Sequence, residues 1–290
     1  MTALWMTSLR PVGKSADNDK IQEVFINSVQ NIKYPIKFSL TQFDDENVEE
    51  LVSKKNLNAF FINVEKNKLP SGKKYSNKIM LDNALDQFIS GEFEYLIYST
   101  ADLLIPNNVF DIANKLKNQN NEFCALVFPN ILQKNGSIKS VSEPHYGIDL
   151  FIFKINKNSA EKLKNAISSW EQYDWGINDN FYVSVCDLLN LPIYNIYKSL
   201  SVIKFENDFK TINENRDWQI QSWKQNQNYF LNFLKENKLS KLYAIGSYHY
   251  LLLKIFRLKD MSAKLLFTYF KFYLRAPLLL VKKILKKFFR

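Results

Sequence analysis

Four short apolar runs, spaced by stretches with helical periodicity, leave few folds open to the first 125 residues. Ala3–Ser8, Ile36–Gln42, Ala59–Val64 and Tyr95–Tyr98 read as strands. Between them, Asp19–Gln30 carries Ile21, Val24, Phe25 and Val29 at helical spacing, and Asn77–Ser90 does the same with Ile79, Leu81, Ala84, Leu85 and Phe88. Val48–Lys54 predicts a short helix, and a helix capped by Asn107 or Asn108 runs through Leu116. Ala59–Val64 reads as a continuous apolar run but for Asn63, the pattern of a buried parallel strand. A β-α-β-α-β-α-β-α order of this kind predicts a mainly parallel, Rossmann-type sheet with helices on both faces.

The later chain changes character. Phe123–Phe128 and Gly147–Phe153 read as strands, with a hairpin or loop around Asn135-Gly136 between them. Ser159–Trp170 is amphipathic. Asp174–Leu189 begins as loop and becomes helix, Ile193–Phe205 is extended, and Arg216–Lys235 is a polar helix bearing Trp218 and Trp223, read as packing residues. The expected division is 1–125, 126–235 and a C-terminal 236–290 of amphipathic helices.

Charge sets that last segment apart. Eleven Lys/Arg and one acid, Asp260, lie between Leu251 and Arg290, so this stretch carries the chain's whole excess of +10 and the first 250 residues are neutral. From Val281 onward, Val281, Ile284, Leu285, Phe288 and Phe289 share one helical arc, and Lys282, Lys283, Lys286, Lys287 and Arg290 share the opposite one. No stretch reaches the roughly 18 uncharged apolar residues that span a bilayer. The tail is therefore expected to lie on an anionic membrane surface, at the cytoplasmic face of the inner membrane of a bacterium, with a core-packed helix as the competing reading. A neutral body without a recognisable RNA or DNA module argues against nucleic-acid binding.

With 46% hydrophobic residues the chain can build a sizeable core, and global disorder is excluded. The sequence holds no GxGxxG and no GxxxxGK[ST], so dinucleotide and P-loop sites are not expected. Cys124 and Cys186 sit in apolar runs and read as buried thiols in a reducing compartment. Ligands of parallel α/β sheets bind at the carboxyl ends of strands. Asp44-Asp45 and Asp102 fall at such ends, and Asp179 opens a helix after Trp175-Gly176-Ile177-Asn178, where it also suits a helix N-cap. Arg10 follows the first strand, and His145 precedes an apolar one.

In the order of these acids the chain resembles the GT-A glycosyltransferases. The resemblance covers roughly residues 2–235 in the order of elements, and only short motifs carry it. It implies a nucleotide-sugar donor, with UDP first among nucleotides, bound by Asp44, Asp45 and Asp102, with Arg10 and Lys204 near the phosphates. It implies an Asp-any-Asp motif that holds Mg²⁺ or Mn²⁺. Here that place reads Thr100-Ala101-Asp102, one carboxylate short, with Asp102 and Glu206 as the candidate ligands. Trp175-Gly176-Ile177-Asn178-Asp179 resembles the family's base motif, so Asp179 becomes the candidate general base, with Asn178 standing where an acid often precedes it. His145, Trp175 and Gly176 fall to the acceptor. The implied activity is hexosyl or N-acetylhexosaminyl transfer, with inversion, to a hydroxyl of a membrane-associated glycan or glycolipid. The alternative is a catalytically inactive scaffold of the same fold. A nucleotidyltransferase on a similar sheet would need a Gly-rich, Arg-bearing N-terminal loop that is missing.

Overall fold

The computed structural model describes residues 2–9, 11–13, 15–43, 46–65, 77–117, 121–132, 136–139, 148–169, 178–196, 199–205 and 216–244. In chain order the elements are β1 (Thr2–Thr7), α1 (Ala16–Gln30), β2 (Ile36–Phe43), α2 (Val48–Lys54), β3 (Ala59–Val64), α3 (Asn77–Ser90), β4 (Phe93–Ser99), β5 (Leu103–Leu104) and α4 (Val109–Lys117). There follow β6 (Phe123–Val127), β7 (Asn130–Leu132), β8 (Ile138–Lys139), β9 (Leu150–Lys154), α5 (Lys157–Ala166), α6 (Asn178–Leu188), β10 (Ile193–Asn195), β11 (Ile203–Phe205) and α7 (Arg216–Glu236).

Seven strands form the main sheet in the order β10-β6-β9-β4-β1-β2-β3. All its pairings are parallel except those of β9, which runs antiparallel to both β4 and β6. A smaller sheet, β5-β11-β7-β8, lies beside it. The expected mainly parallel α/β architecture is the one found.

The side-chain period of a strand assigns β1 to two cores at once. Ala3 and Trp5 join α1, α2 and α4 on one face, while Leu4 and Met6 join α3, α5, α6 and α7 on the other. All four are essentially inaccessible to solvent, so both faces of the sheet are covered. Local chemistry sets several boundaries. The Ser15 side chain accepts a hydrogen bond from the Asn18 N–H, so α1 begins at Ala16, three residues before the expected Asp19. Asn156 caps α5 through the Ser159 N–H.

The expectation for Ala59–Val64 needs one correction. The strand is parallel, but it closes the edge of the sheet beside β2, and Ala59 to Ile62 are only half-buried. Apolar continuity reports the strand but not its rank in the sheet. On this edge the Lys37 ammonium lies 3.4 Å from the centre of the Phe60 ring, covering part of the apolar surface. Cys124 and Cys186 are both buried free thiols. The tail, 245–290, lies outside the described residues.

Candidate functional site

The carboxyl ends of β1 and β4 are tied together from inside. The Trp5 indole N–H donates to the Ser99 hydroxyl at 2.8 Å, and the Thr7 hydroxyl donates to the Ser99 carbonyl at 2.8 Å. Just beyond Ser99 the chain turns through Thr100-Ala101-Asp102. Thr100 takes part on both sides, its N–H donating to the Asp149 carbonyl at 3.1 Å and its hydroxyl to Asp102 Oδ1 at 2.5 Å. The Phe205 N–H donates to the Asp102 carbonyl, and β5 pairs with β11 so that Lys204 stands opposite Leu103. Asp102 is thus held from its own turn and from β11, and it is buried at 6% exposure.

Two more acids reach this place. β9 runs antiparallel to β4, so its amino end lies where the parallel strands have their carboxyl ends. Asp149 immediately precedes it and is buried at 7% exposure. The Lys204 ammonium donates to Asp149 Oδ1 at 2.5 Å and lies 3.9 Å from Asp102 Oδ2. The Ile148 N–H donates to Asp179 Oδ2 at 2.9 Å, which fixes the first turn of α6 against the lead-in to β9.

The electrostatics follow from burial and from these neighbours. Burial first, and then the charge of Asp149, push the Asp179 carboxyl up to about 7; the Ile148 N–H and the charge of Lys204 offset part of this. Asp179 as a whole residue is half-buried. Burial works against the charge on Lys204, but Asp149, Asp102 and Asp179 outweigh it and hold the ammonium above its ordinary range. A carboxylate poised near neutrality is suited to taking a proton at physiological pH.

Of the residues singled out from sequence, the structure brings Asp102, Lys204 and Asp179 into one cluster. Arg10, Asp44, Asp45, His145, Trp175, Gly176 and Glu206 lie outside the described residues. The flanks of Asp44-Asp45 are held, since the Phe43 N–H donates to Glu46 Oε2 and the Val48 N–H to Gln42 Oε1. Asp149 was not among the sequence candidates. The sequence places it within a strand, Gly147–Phe153, whereas in the structure it precedes β9, whose antiparallel run puts it at the end of the sheet where ligands bind.

The cluster can also be tested against a divalent ion. Among the described residues no three His, Cys, Asp or Glu side chains gather as a metal cage. Mg²⁺ is nevertheless commonly held by one or two protein carboxylates together with phosphates and waters. Asp102 and Asp149 both approach the Lys204 ammonium, and Asp149 Oδ2 is buried with no hydrogen-bond partner among the described residues. A buried carboxylate oxygen left without a partner among the described residues fits a further cation.

No protein-family model matches the chain, and no curated protein matches it in sequence. Solved structures do. Staphylococcus aureus TarS 1–349 in complex with UDP-GlcNAc superposes with a TM-score of 0.51 at 13% identity, over 72% of this chain and 59% of that one. The same TarS segment with UDP gives 0.47 at 11% identity, over 84% and 68%. GalNAc-T7 with UDP, GalNAc and Mn²⁺ gives 0.46 at 8% identity, over 71% and 43%. The first of these likenesses carries the fold: the chain has the GT-A fold and spans about three fifths of the TarS segment.

Proposed function

We propose that the chain is a glycosyltransferase that takes a sugar from a nucleoside-diphosphate donor and passes it, with inversion, to an acceptor hydroxyl. One observation carries the reading. Asp102, Asp149, Lys204 and Asp179, from four separate parts of the chain, meet where the parallel strands end, the place where such sheets bind ligands.

In the reaction the acceptor oxygen attacks the anomeric carbon as its proton passes to Asp179. The bond from that carbon to the diphosphate oxygen breaks, and its electron pair leaves with the diphosphate. Asp179, held by the Ile148 N–H, is the group in the cluster with a proton affinity matched to the task. Lys204 is the described cation that would answer charge on the departing diphosphate. A divalent ion held by Asp102 and Asp149 would add Lewis-acid stabilisation of that charge. TarS was solved with UDP-GlcNAc, which makes UDP the first nucleotide to test and a hexosyl or N-acetylhexosaminyl group the first sugar. Titration calorimetry with UDP, GDP and CMP, with Mn²⁺ and with chelator, should show binding of one of them. Absence of binding to all three under both conditions would remove the enzymatic reading.

The acceptor is proposed to be a glycan or glycolipid at the inner face of a bacterial membrane, reached through the basic tail. Among the described residues no helix is long and apolar enough to cross a bilayer. The support is the sequence of 251–290, with its eleven cations and its arc of Val281, Ile284, Leu285, Phe288 and Phe289. Cations beside an anionic surface contribute about 1 kcal/mol each. The intact protein should therefore co-sediment with phosphatidylserine vesicles at low salt, less so at high salt, and not with phosphatidylcholine alone. Equal recovery with both lipids, or none with either, would count against membrane docking.

A further inference from the structure

We infer that Asn180 and Tyr243 are positioning residues for Asp179: together they splint α6 and fix the turn from which the base works. What Asp179 does there rests on the glycosyltransferase reading; how it is held does not.

Position comes first. α6 opens at Asn178, so Asp179 and Asn180 both lie in its first turn. The N–H groups of a first turn have no partner inside the helix, and such turns fray unless side chains or packing hold them. Two hydrogen bonds among the described residues hold this one, from different sides. The Ile148 N–H donates to Asp179 Oδ2 at 2.9 Å, and the Asn180 amide donates to the Tyr243 carbonyl at 2.9 Å. Successive residues of a helix point about 100° apart, so the two bonds together oppose rotation of α6 about its own axis. A roll of ~20° would carry a carboxyl ~5 Å from the axis through about 2 Å. A reacting group misplaced by even about 1 Å loses much of its rate.

Tyr243 closes the splint. It lies in a short 3₁₀ turn, Lys241–Ala244, beyond α7, and is inaccessible to solvent. Its hydroxyl donates to the Asp187 carboxylate. Asn180 and Asp187 lie about two turns apart and so share one face of α6, about 10 Å along the axis. One buried residue therefore grips the helix at its amino end through a backbone carbonyl and near its carboxyl end through a side chain. Tyr243 belongs to the same core as Phe181, Phe230 and Phe233.

Packing alone does not account for Asn180. It is buried at 3% exposure, and its Oδ1 meets no partner among the described residues. A half-satisfied buried amide is destabilising, and an apolar side chain would fill the place at less cost to the fold. What the amide adds is a directed bond on the turn that carries the base.

The test compares Asn180→Leu and Tyr243→Phe in the full-length protein, each checked for folding by circular dichroism. Leucine keeps the branched shape and removes the bond to the Tyr243 carbonyl; phenylalanine keeps the ring and removes the bond to Asp187. Asn180→Leu should lower kcat about tenfold to a hundredfold with UDP affinity unchanged, and Tyr243→Phe should lower it less. Added to Asp179→Asn, either change should cost no more than about twofold, because a base that is absent cannot be misplaced. Hydrogen exchange at the Ile148 amide, read by NMR, should speed up in both variants. Should Asn180→Leu fail to fold, Tyr243→Phe carries the same comparisons. An equal fall in kcat with and without the Asp179 carboxylate would mark general damage to the fold and overturn the inference. So would unchanged kcat together with unchanged Ile148 exchange. Faster Ile148 exchange in both variants, in a protein that binds no nucleotide and transfers no sugar, would keep the splint and discard the glycosyltransferase reading.

Discussion

Asp179→Asn should lower turnover by about 10²–10⁴, the usual cost of removing a general base, while leaving nucleotide binding unchanged. Asparagine has the shape of aspartate and still offers an oxygen to the Ile148 N–H, so α6 keeps its anchor against the lead-in to β9. What it cannot do is accept the acceptor's proton. The wild-type rate should correspondingly rise with pH as Asp179 ionises, with its midpoint at about 7 or below, because any cation at Asp102 and Asp149 favours the charged form. Initial rates with the donor identified by calorimetry, across pH, measure both. Near-normal turnover in Asp179→Asn would return the residue to the role of a helix-terminal anchor.

The same substitution makes a stability prediction of opposite sign. The folded-state pKa of Asp179 is raised, from 3.8 to about 7. Between these values the native state holds a proton that the unfolded state has lost, so the stabilisation present below pH 3.8 fades as pH rises through about 7. Each pKa unit corresponds to about 1.4 kcal/mol. Metal-free Asp179→Asn should thus melt above wild type at neutral and alkaline pH, with the difference vanishing in acid. A slower enzyme that is also more stable is the mark of a site held at a cost to the fold.

How far the sequence reached depends on the kind of information each element carries. Periodicity located Val48–Lys54 and Asn77–Ser90 to the residue, because amphipathic helices write their buried face into spacing. It could not rank Ala59–Val64 within the sheet, since Phe60, Phe61 and Ile62 read alike at an edge or in the middle. Nor could it give the direction of Leu150–Lys154, because a five-residue apolar strand has the same pattern either way. That one ambiguity hid Asp149. Asp102 and Asp179 were legible because each follows a recognisable boundary, the end of a strand and the start of a helix. Lys204 was legible as a cation but not as the partner of Asp149, from which 55 residues separate it; the pairing depends on β11 lying beside β5.

Phe181→Ala should destabilise the protein by about 3–5 kcal/mol, the range for removing a buried phenyl ring from a core that cannot close over the gap. Phe181 is inaccessible to solvent and lies two residues beyond Asp179 on α6. Its ring centre is 5.0 Å from that of Phe233 and 6.4 Å from that of Phe230, both on α7, and 5.4 Å from its neighbour Tyr182. Phe230 and Phe233 are themselves stacked and fully buried, so the cavity would be walled by rings already committed to each other. The effect should also reach the chemistry. Hydrogen bonds among the described residues also fix the amino end of α6: the Ile148 N–H donates to Asp179, and the Asn180 amide donates to the Tyr243 carbonyl at 2.9 Å. Loosening Phe181 leaves Asp179 on a turn held by these hydrogen bonds and by the packing of Tyr182 against Tyr98 and Phe151, and small misplacements of a reacting group are costly in rate. Urea denaturation gives the stability term and turnover at saturating donor gives the other. Phe181→Leu, which refills most of the volume, should recover most of both. A Phe181→Ala variant as stable as wild type would show that α7 does not hold α6 in place.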